Sequence, residues 1–348
     1  MSPSFFAFKK RFKGVAHIST IRYKYKKTGI GAVDNLGAQL EKVFKGARQG
    51  SIETKYRYIA AAERFVKFVG IHFKLKKIQN IQDKHLEAFA VSLKSRQCSD
   101  KYIKNELAGI RYLHRQLPQA RYSLKDSKTA NKEMGLGSTP DGRADRAWTE
   151  DELSQMKNEA ILRGHHDIAG ILEAIRTTGM RLDEAASIRR SAVEDALRTG
   201  VLELKNTKGG RPRSVPLTER SKAILDKALK NSARGDYAFT PAGVKVHVYE
   251  KKIKNFIYNH RKVIQEQERS ATGHNLDTGA RGALTPHGLR HTFAREYIVR
   301  RYQEYLSAGI SAAAASARAR KDTAEVLGHG RVEVTYIYAP ESSLNTQM

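Results

Sequence analysis

The chain has 348 residues, with 63 Lys and Arg against 36 Asp and Glu, a formal net charge of +27. Hydrophobic residues make up 40%, enough for packed cores, so disorder throughout is excluded; the single cysteine, Cys98, excludes a disulfide scaffold and any zinc site built from paired thiolates. Such a surplus of positive charge repels itself and is kept for a polyanionic partner, with nucleic acid first and an anionic membrane surface second.

The length fits two domains. Residues 1 to 30 hold eight Lys or Arg and no acid, interleaved with Phe5, Phe6, Phe8, Phe12, Tyr23 and Tyr25 without helical period. This arm, bounded at 1–33, reads either as a partly disordered basic tail or as a small DNA-contacting appendage. Its apolar residues precede Lys9-Lys10-Arg11, the wrong order for a secretory signal, while a transit peptide stays open. No run approaches the ~18 apolar residues of a membrane span, so a soluble cytoplasmic protein without membrane association is expected.

From 34 to 117 the pattern is helical. Ser51 is placed as the cap of a helix with Ile52, Tyr56, Ile59, Ala62, Val66 and Val69 inward and Gly70 as its stop. Asp83 opens a second, with Leu86, Phe89 and Leu93 inward. Ser99 opens a third, with Ile103, Leu107, Ile110, Leu113 and Leu117 inward and Pro118 beyond it. Lys101, Lys104, Arg111 and Arg115 fall outward and give this bundle a basic side. Residues 118–146 lose the period and carry Gly135, Gly137, Pro140 and Gly142, which is linker chemistry. Thr149 to Glu152 reads as a capping box that opens the second domain, 147–348. Helices are expected there at 150–163, 166–178, 182–189, 218–231, 249–266, 288–305, 321–327 and 332–338. Val201–Leu204 and Ser214–Leu217 flank Lys208-Gly209-Gly210 as a hairpin. There is no internal repeat, and only 308–318 is compositionally biased, towards Ala.

Four short motifs in this second domain carry chemistry. Thr177-Thr178-Gly179-Met180-Arg181 puts an Arg at a helix start, where its donors lie beside a positive dipole end; it can equally pair with Glu184 in its own turn. Lys208 sits at a hairpin tip, followed by Arg211 and Arg213; such a Lys is ordinarily solvated but can deliver a proton in a groove. Pro286-His287-Gly288-Leu289-Arg290 places His287 and Arg290 on one helical face, a pair suited to a phosphate. Leu327-Gly328-His329 ends a helix, and Tyr338 follows nine residues after His329. Each motif alone is weak.

In this fixed order, behind a basic helical domain, they resemble the tyrosine recombinase (phage integrase) family over about 34 to 340. The resemblance implies a mainly α fold with a small antiparallel β-sheet: a helical, SAM-like core-binding domain followed by the tyrosine recombinase catalytic domain. It implies cleavage and rejoining of double-stranded DNA without metal or other cofactor, through a 3′-phosphotyrosyl intermediate. Tyr338 matches the nucleophile, Arg181 and Arg290 the phosphate-holding arginines, His329 a third phosphate contact. Lys208, with Lys205 as its alternative, matches the general acid, His287 the acceptor of the tyrosine proton, and Glu184 an orienting acid. Arg211 and Arg213 join Lys101, Lys104, Arg111 and Arg115 as expected DNA contacts. A homotetramer on DNA, monomeric when free, is the family expectation, with Ser342 to Met348 docking on a neighbour. One departure stands out: Arg290 and His329 are 39 residues apart, longer than usual, and 302–320 is read as an extended helix or a loop. Three other readings compete. These are a type IB topoisomerase-like enzyme, a non-catalytic DNA-binding protein, and a metal-dependent nuclease using His165, His166, His287, His291 and His329; the last lacks clustered carboxylates.

Overall fold

The computed structural model describes residues 23–45, 52–137, 145–205, 211–264, 269–270, 281–340 and 344. The chain divides into two compact units at residues 140 and 141.

The first unit is a helical bundle of α1 (Gly31–Lys45), α2 (Ile52–His72), α3 (Asp83–Ser95), α4 (Asp100–Arg115) and α5 (Ser127–Glu133), with a 3₁₀ turn at Ile78–Asn80. Its core joins Leu36 and Leu40 of α1, Phe65 and Val66 of α2, Leu86 and Phe89 of α3, and Ile103, Leu107 and Ile110 of α4. The apolar steps of three and four along each helix make this burial possible. Ser99 caps α4, accepting from the Tyr102 N–H; Ser51 lies outside the described residues.

Several expectations need correction. Gly70 does not end α2, which runs on to His72. It is a packing glycine: a Cβ there would stand 2.9 Å from Cγ2 of Val33, so its absence lets α1 approach. Tyr56 is exposed rather than inward, and Phe65 fills the stripe instead. The stretch read as a linker contains α5, whose cap Asp126 accepts from the Lys128 and Thr129 N–H groups. Leu136 beyond it is buried in the bundle core. Part of the expected arm is also attached: Tyr23 donates to Glu63 at 2.8 Å and meets Phe44 edge-on.

The second unit opens with α6 (Glu150–Leu162), set by the predicted Thr149–Glu152 capping box. α7 (His166–Thr178) is buried nearly all round and forms the unit's axis, with α6 and the later α10 and α12 packed on it. α8 (Leu182–Ser187) and α9 (Arg190–Thr199) lead into β1 (Val201–Leu204) and β2 (Arg213–Pro216). These strands pair antiparallel, Val201 opposite Pro216 and Leu204 opposite Arg213. Then come α10 (Glu219–Lys230), α11 (Val246–Ile264) and the two-residue parallel pair β3 (Arg269–Ser270) and β4 (Arg281–Gly282). α12 (Pro286–Ser307) and α13 (Ala312–Leu327) follow, and a 3₁₀ helix spans Val332–Ile337.

α9 is not among the sequence-predicted helices. The segment 302–320 is two helices joined by a short turn: α12 runs on to Ser307 and α13 starts at Ala312, nine residues before the helix expected at 321. Its Ala-rich sequence favours helix and lets α13 lie close on α12 through the buried Ala315 and Ala319. The helix expected at 332–338 is the tighter 3₁₀ form. Leu344 of the tail is buried in the core of its own unit. Among the described residues no helix is long and apolar enough to cross a membrane.

Candidate active site

The site gathers where α7 ends, α8 and α12 begin, and α13 gives way to the final 3₁₀ turn. Gly179 closes α7 at φ 64°, a left-handed conformation that frees the chain to turn at once into α8. There is no room for a side chain: a Cβ would lie 2.4 Å from the Phe293 ring.

Arg181 is the N-cap of α8, and both readings of it hold in part. Its N–H donates to Glu184 Oε2 and its Nη1 to Oε1, each at 2.7 Å. It is no surface pair, because the Glu184 side chain is only 2% exposed and a second fork, from Arg213, grips the same carboxylate. Burial alone would raise the Glu184 pKa; the hydrogen bonds and charge of Arg213, then Arg181, outweigh it and hold the carboxyl down to about 2.

Arg290 is fully buried. Its two terminal nitrogens donate to the Gly179 and Leu327 carbonyls, the C-terminal ends of α7 and α13. Burial, then the neighbouring Arg181 and Arg213, pushes its pKa down to about 10, so it stays charged at neutral pH. His329 follows the left-handed cap Gly328 of α13, and its Nε2 is 2.8 Å from the Tyr338 hydroxyl. Desolvation first, then Arg290 and Arg181, pushes the His329 pKa down to about 4, so the ring is neutral. Tyr338 is 3% exposed. Burial raises its pKa, and Arg290 and Arg181 oppose that rise.

His287 stands at the rim on the first turn of α12, exposed to solvent on one side. Crowding of protein around the ring, then the charges of Arg290, Arg146 and Arg181, pushes its pKa below the ordinary imidazole value. Arg181, His287, Arg290, His329 and Tyr338 thus lie together, with three arginines (Arg181, Arg213 and Arg290) near a single carboxylate, Glu184. The net positive charge and neutral imidazoles suit a phosphate diester: arginines for its oxygens, histidines for its protons.

Tyr336 points elsewhere. It is 47% exposed and lies under the Arg320 guanidinium, 3.9 Å from ring centroid to Cζ. Lys208 lies outside the described residues, and Lys205 is exposed at the end of β1. Among the described residues, no group of three or more His, Cys, Asp or Glu gathers as metal ligands.

The expected DNA contacts divide. Lys101, Arg115 and Arg211 are exposed. The Lys104 ammonium donates to the Gly137 carbonyl. Arg111 is half-buried rather than outward, with Nε and Nη2 enclosed and unpartnered. Arg213 is not a surface cation: its side chain is 1% exposed, because its position in β2 alternates inward and its charge is spent on Glu184.

Three supporting residues stand outside the recombinase site set read from the sequence. His291 presses its ring against Tyr338, 4.6 Å between centroids at 89°. Arg295 donates to the Tyr338 carbonyl at 3.1 Å. Trp148 donates from its indole to the Thr285 carbonyl and from its N–H to Thr292, fixing the start of α12. In the sequence His291 stood out only as a candidate metal ligand, and Trp148 only as the chain's single tryptophan.

Comparison with known proteins gives a consistent picture. The Phage integrase family model matches residues 147–303, and the model of the Phage integrase N-terminal region matches 33–122. A curated Sinorhizobium fredii protein described as an integrase/recombinase, y4rC, is 27% identical over 191 residues, 54% of this chain and 49% of that protein. The match thus spans about half the length of that relative. The integrase of transposon Tn1549, solved with transposon right end DNA, is 15% identical at a TM-score of 0.53, covering 91% of this chain and 98% of that one. A lambda integrase tetramer bound to a Holliday junction is 14% identical at 0.55, covering 88% and 77%. These solved structures show a shared fold, mainly helical with a small antiparallel sheet. By its two family regions, which together span more than half of its length, the chain belongs to the phage integrase family, the tyrosine recombinases, a family of DNA breaking-rejoining enzymes.

Proposed function

We propose that the protein is a site-specific recombinase that cleaves and rejoins double-stranded DNA through a 3′-phosphotyrosyl bond on Tyr338. The observation that carries this reading is the Tyr338 hydroxyl held 2.8 Å from a neutral His329 in a pocket floored by Arg290 and flanked by Arg181. The tyrosyl oxygen attacks the scissile phosphorus, a P–O bond to Tyr338 forms, and the bond to the 5′-oxygen breaks. A 5′-hydroxyl of a partner strand reverses the step, so no external energy source enters.

Arg181 and Arg290 hold the non-bridging oxygens as charge develops; losing one such donor typically costs about 2.7–4 kcal/mol. The tyrosine proton passes to a neutral imidazole. His287 is the family's acceptor, and the hydrogen bond supports His329 as its partner in holding that proton before DNA arrives. Lys208, with Lys205 as the alternative, protonates the leaving 5′-oxygen. Integration and excision of a mobile element is the role favoured by the basic N-terminal arm, with a tetramer joining two duplexes in the cytoplasm.

Labelled DNA from the flanks of the protein's own gene tests this. The expected result is an SDS-resistant protein–DNA adduct that forms in EDTA, with exchange between two such sites. No adduct on any flanking sequence overturns the recombinase reading. Relaxation of supercoils without exchange overturns the integrase role.

A further inference from the structure

Arg213 is buried, as Arg290 is, and its guanidinium is turned onto a carboxylate. It opens β2, and its fork meets both oxygens of Glu184, Nη1 on Oε1 at 2.7 Å and Nη2 on Oε2. The side chains of the pair are 1% and 2% exposed. The same two oxygens accept from Arg181, the backbone N–H on Oε2 and Nη1 on Oε1. Four donors therefore converge on one carboxylate, two from the strand and two from the N-cap of α8. Glu184 fixes where the Arg181 guanidinium lies, and Arg213 fixes where Glu184 lies.

The Arg213 stem also passes beneath the cap of α13. A Cβ on Gly328 would stand 3.2 Å from Arg213 Cδ, one residue before His329. One side chain thus supports both walls of the phosphate pocket. A lysine could neutralise Glu184, but a single ammonium does not match both oxygens in a planar fork.

We propose that Arg213 is a positioning residue: it locks Glu184 so that Arg181 is presented to the scissile phosphate, without itself touching DNA. This rests on the recombinase reading above.

The test uses the full chain carrying Arg213→Lys, which keeps the charge and removes the fork. Adduct formation is timed at saturating protein on ordinary DNA and on the same DNA with a neutral methylphosphonate at the scissile position. Arg181 acts on the phosphate's negative charge, so the neutral linkage asks less of it. The expected result is adduct formation slowed about 100-fold on ordinary DNA, the scale of a small misplacement of a catalytic group, with DNA affinity unchanged. On the methylphosphonate the variant should return to within about threefold of the wild type. A second variant, Arg213→Met with Glu184→Gln, removes the two fully enclosed charges together and should show the same selective rescue. Equal slowing on both linkages, or an ordinary-DNA rate within about threefold of the wild type, overturns the proposal. Absence of an adduct with the wild-type protein overturns instead the reading on which it rests.

Discussion

Tyr338 and Tyr336 lie two residues apart, and replacing each by Phe separates chemistry from packing. Side chains advance about 120° per residue in a 3₁₀ helix, so these two diverge by about 120° and cannot both face the phosphate. Tyr338→Phe removes one oxygen from a side chain 3% exposed, and the ring keeps its seat against His291. What is lost is the 2.8 Å hydrogen bond to His329. Leaving a part-buried nitrogen unpartnered costs at most about 1–3 kcal/mol, partly offset because a phenyl ring is easier to desolvate than a phenol. The protein should therefore lose no more than about 2 kcal/mol of stability, keep its DNA affinity, and form no adduct at all. Tyr336→Phe removes a hydroxyl from a ring 47% exposed and leaves the Arg320 stacking intact. Stability should change by less than about 0.5 kcal/mol and adduct formation should continue. Urea melts, a filter-binding isotherm and an SDS gel on labelled DNA read the three quantities, and peptide mapping locates the phosphotyrosine. An adduct that survives Tyr338→Phe, or one mapped to Tyr336, would refute the reasoning.

Three further outcomes follow from charge and packing. DNA binding should weaken steeply with salt: contact with about eight phosphates gives a slope of log K against log salt near −7, and a slope shallower than about −3 would assign the +27 charge elsewhere. Gly179→Ala forces a side chain into a left-handed conformation and into Phe293, and should cost about 2–5 kcal/mol; a melting temperature equal to the wild type would show that the α7–α8 corner yields freely. Stability should rise with pH across the window between about 4 and 6.5. There the unfolded chain protonates His329 at its ordinary 6.5, while the folded site holds it neutral down to about 4, so the contribution is complete above 6.5 and lost as pH falls through the window. Urea melts at pH 5 and 7 on wild type and His329→Gln measure this, and parallel pH dependence in the two would contradict it.

Periodicity made much of the framework legible. The stripes of α2, α3 and α4 and the capping box of α6 are local signals, written in residues three and four apart. What escaped depends on distant partners. Tyr56 fits the α2 stripe by spacing, but the neighbours that enclose Phe65 leave it outside. Gly70 is an intrinsic helix breaker overridden by the approach of Val33, which only tertiary packing reveals. α5 is a single capped stretch too short for an apolar period. In the pocket, Arg181, Arg290 and His329 stood out because they fall in an ordered set of motifs. Arg213 was hidden in a basic run: nothing local distinguishes an Arg bound for DNA from one folded inward onto Glu184. The choice of Tyr338 rested on its spacing of nine from His329, whereas the 3₁₀ turn and the stacking of Tyr336 on Arg320 are announced by no residue between them.

The position of Arg290 has a consequence for how such a protein would decay. Its guanidinium ties down the last carbonyls of α7 and α13, so it supplies the positive charge that two helix C-termini would otherwise lack. Tyr338 closes the 3₁₀ turn at Val332–Ile337, and Phe fills its seat at small cost. Under mutation without selection for DNA cleavage, the nucleophile would drift away early, while the arginine would persist because unfolding punishes its loss. A descendant that had abandoned strand transfer would still display Arg290 intact, so the presence of that residue alone is a poor witness to activity, and its retention beside a missing tyrosine would mark a retired enzyme whose architecture survives.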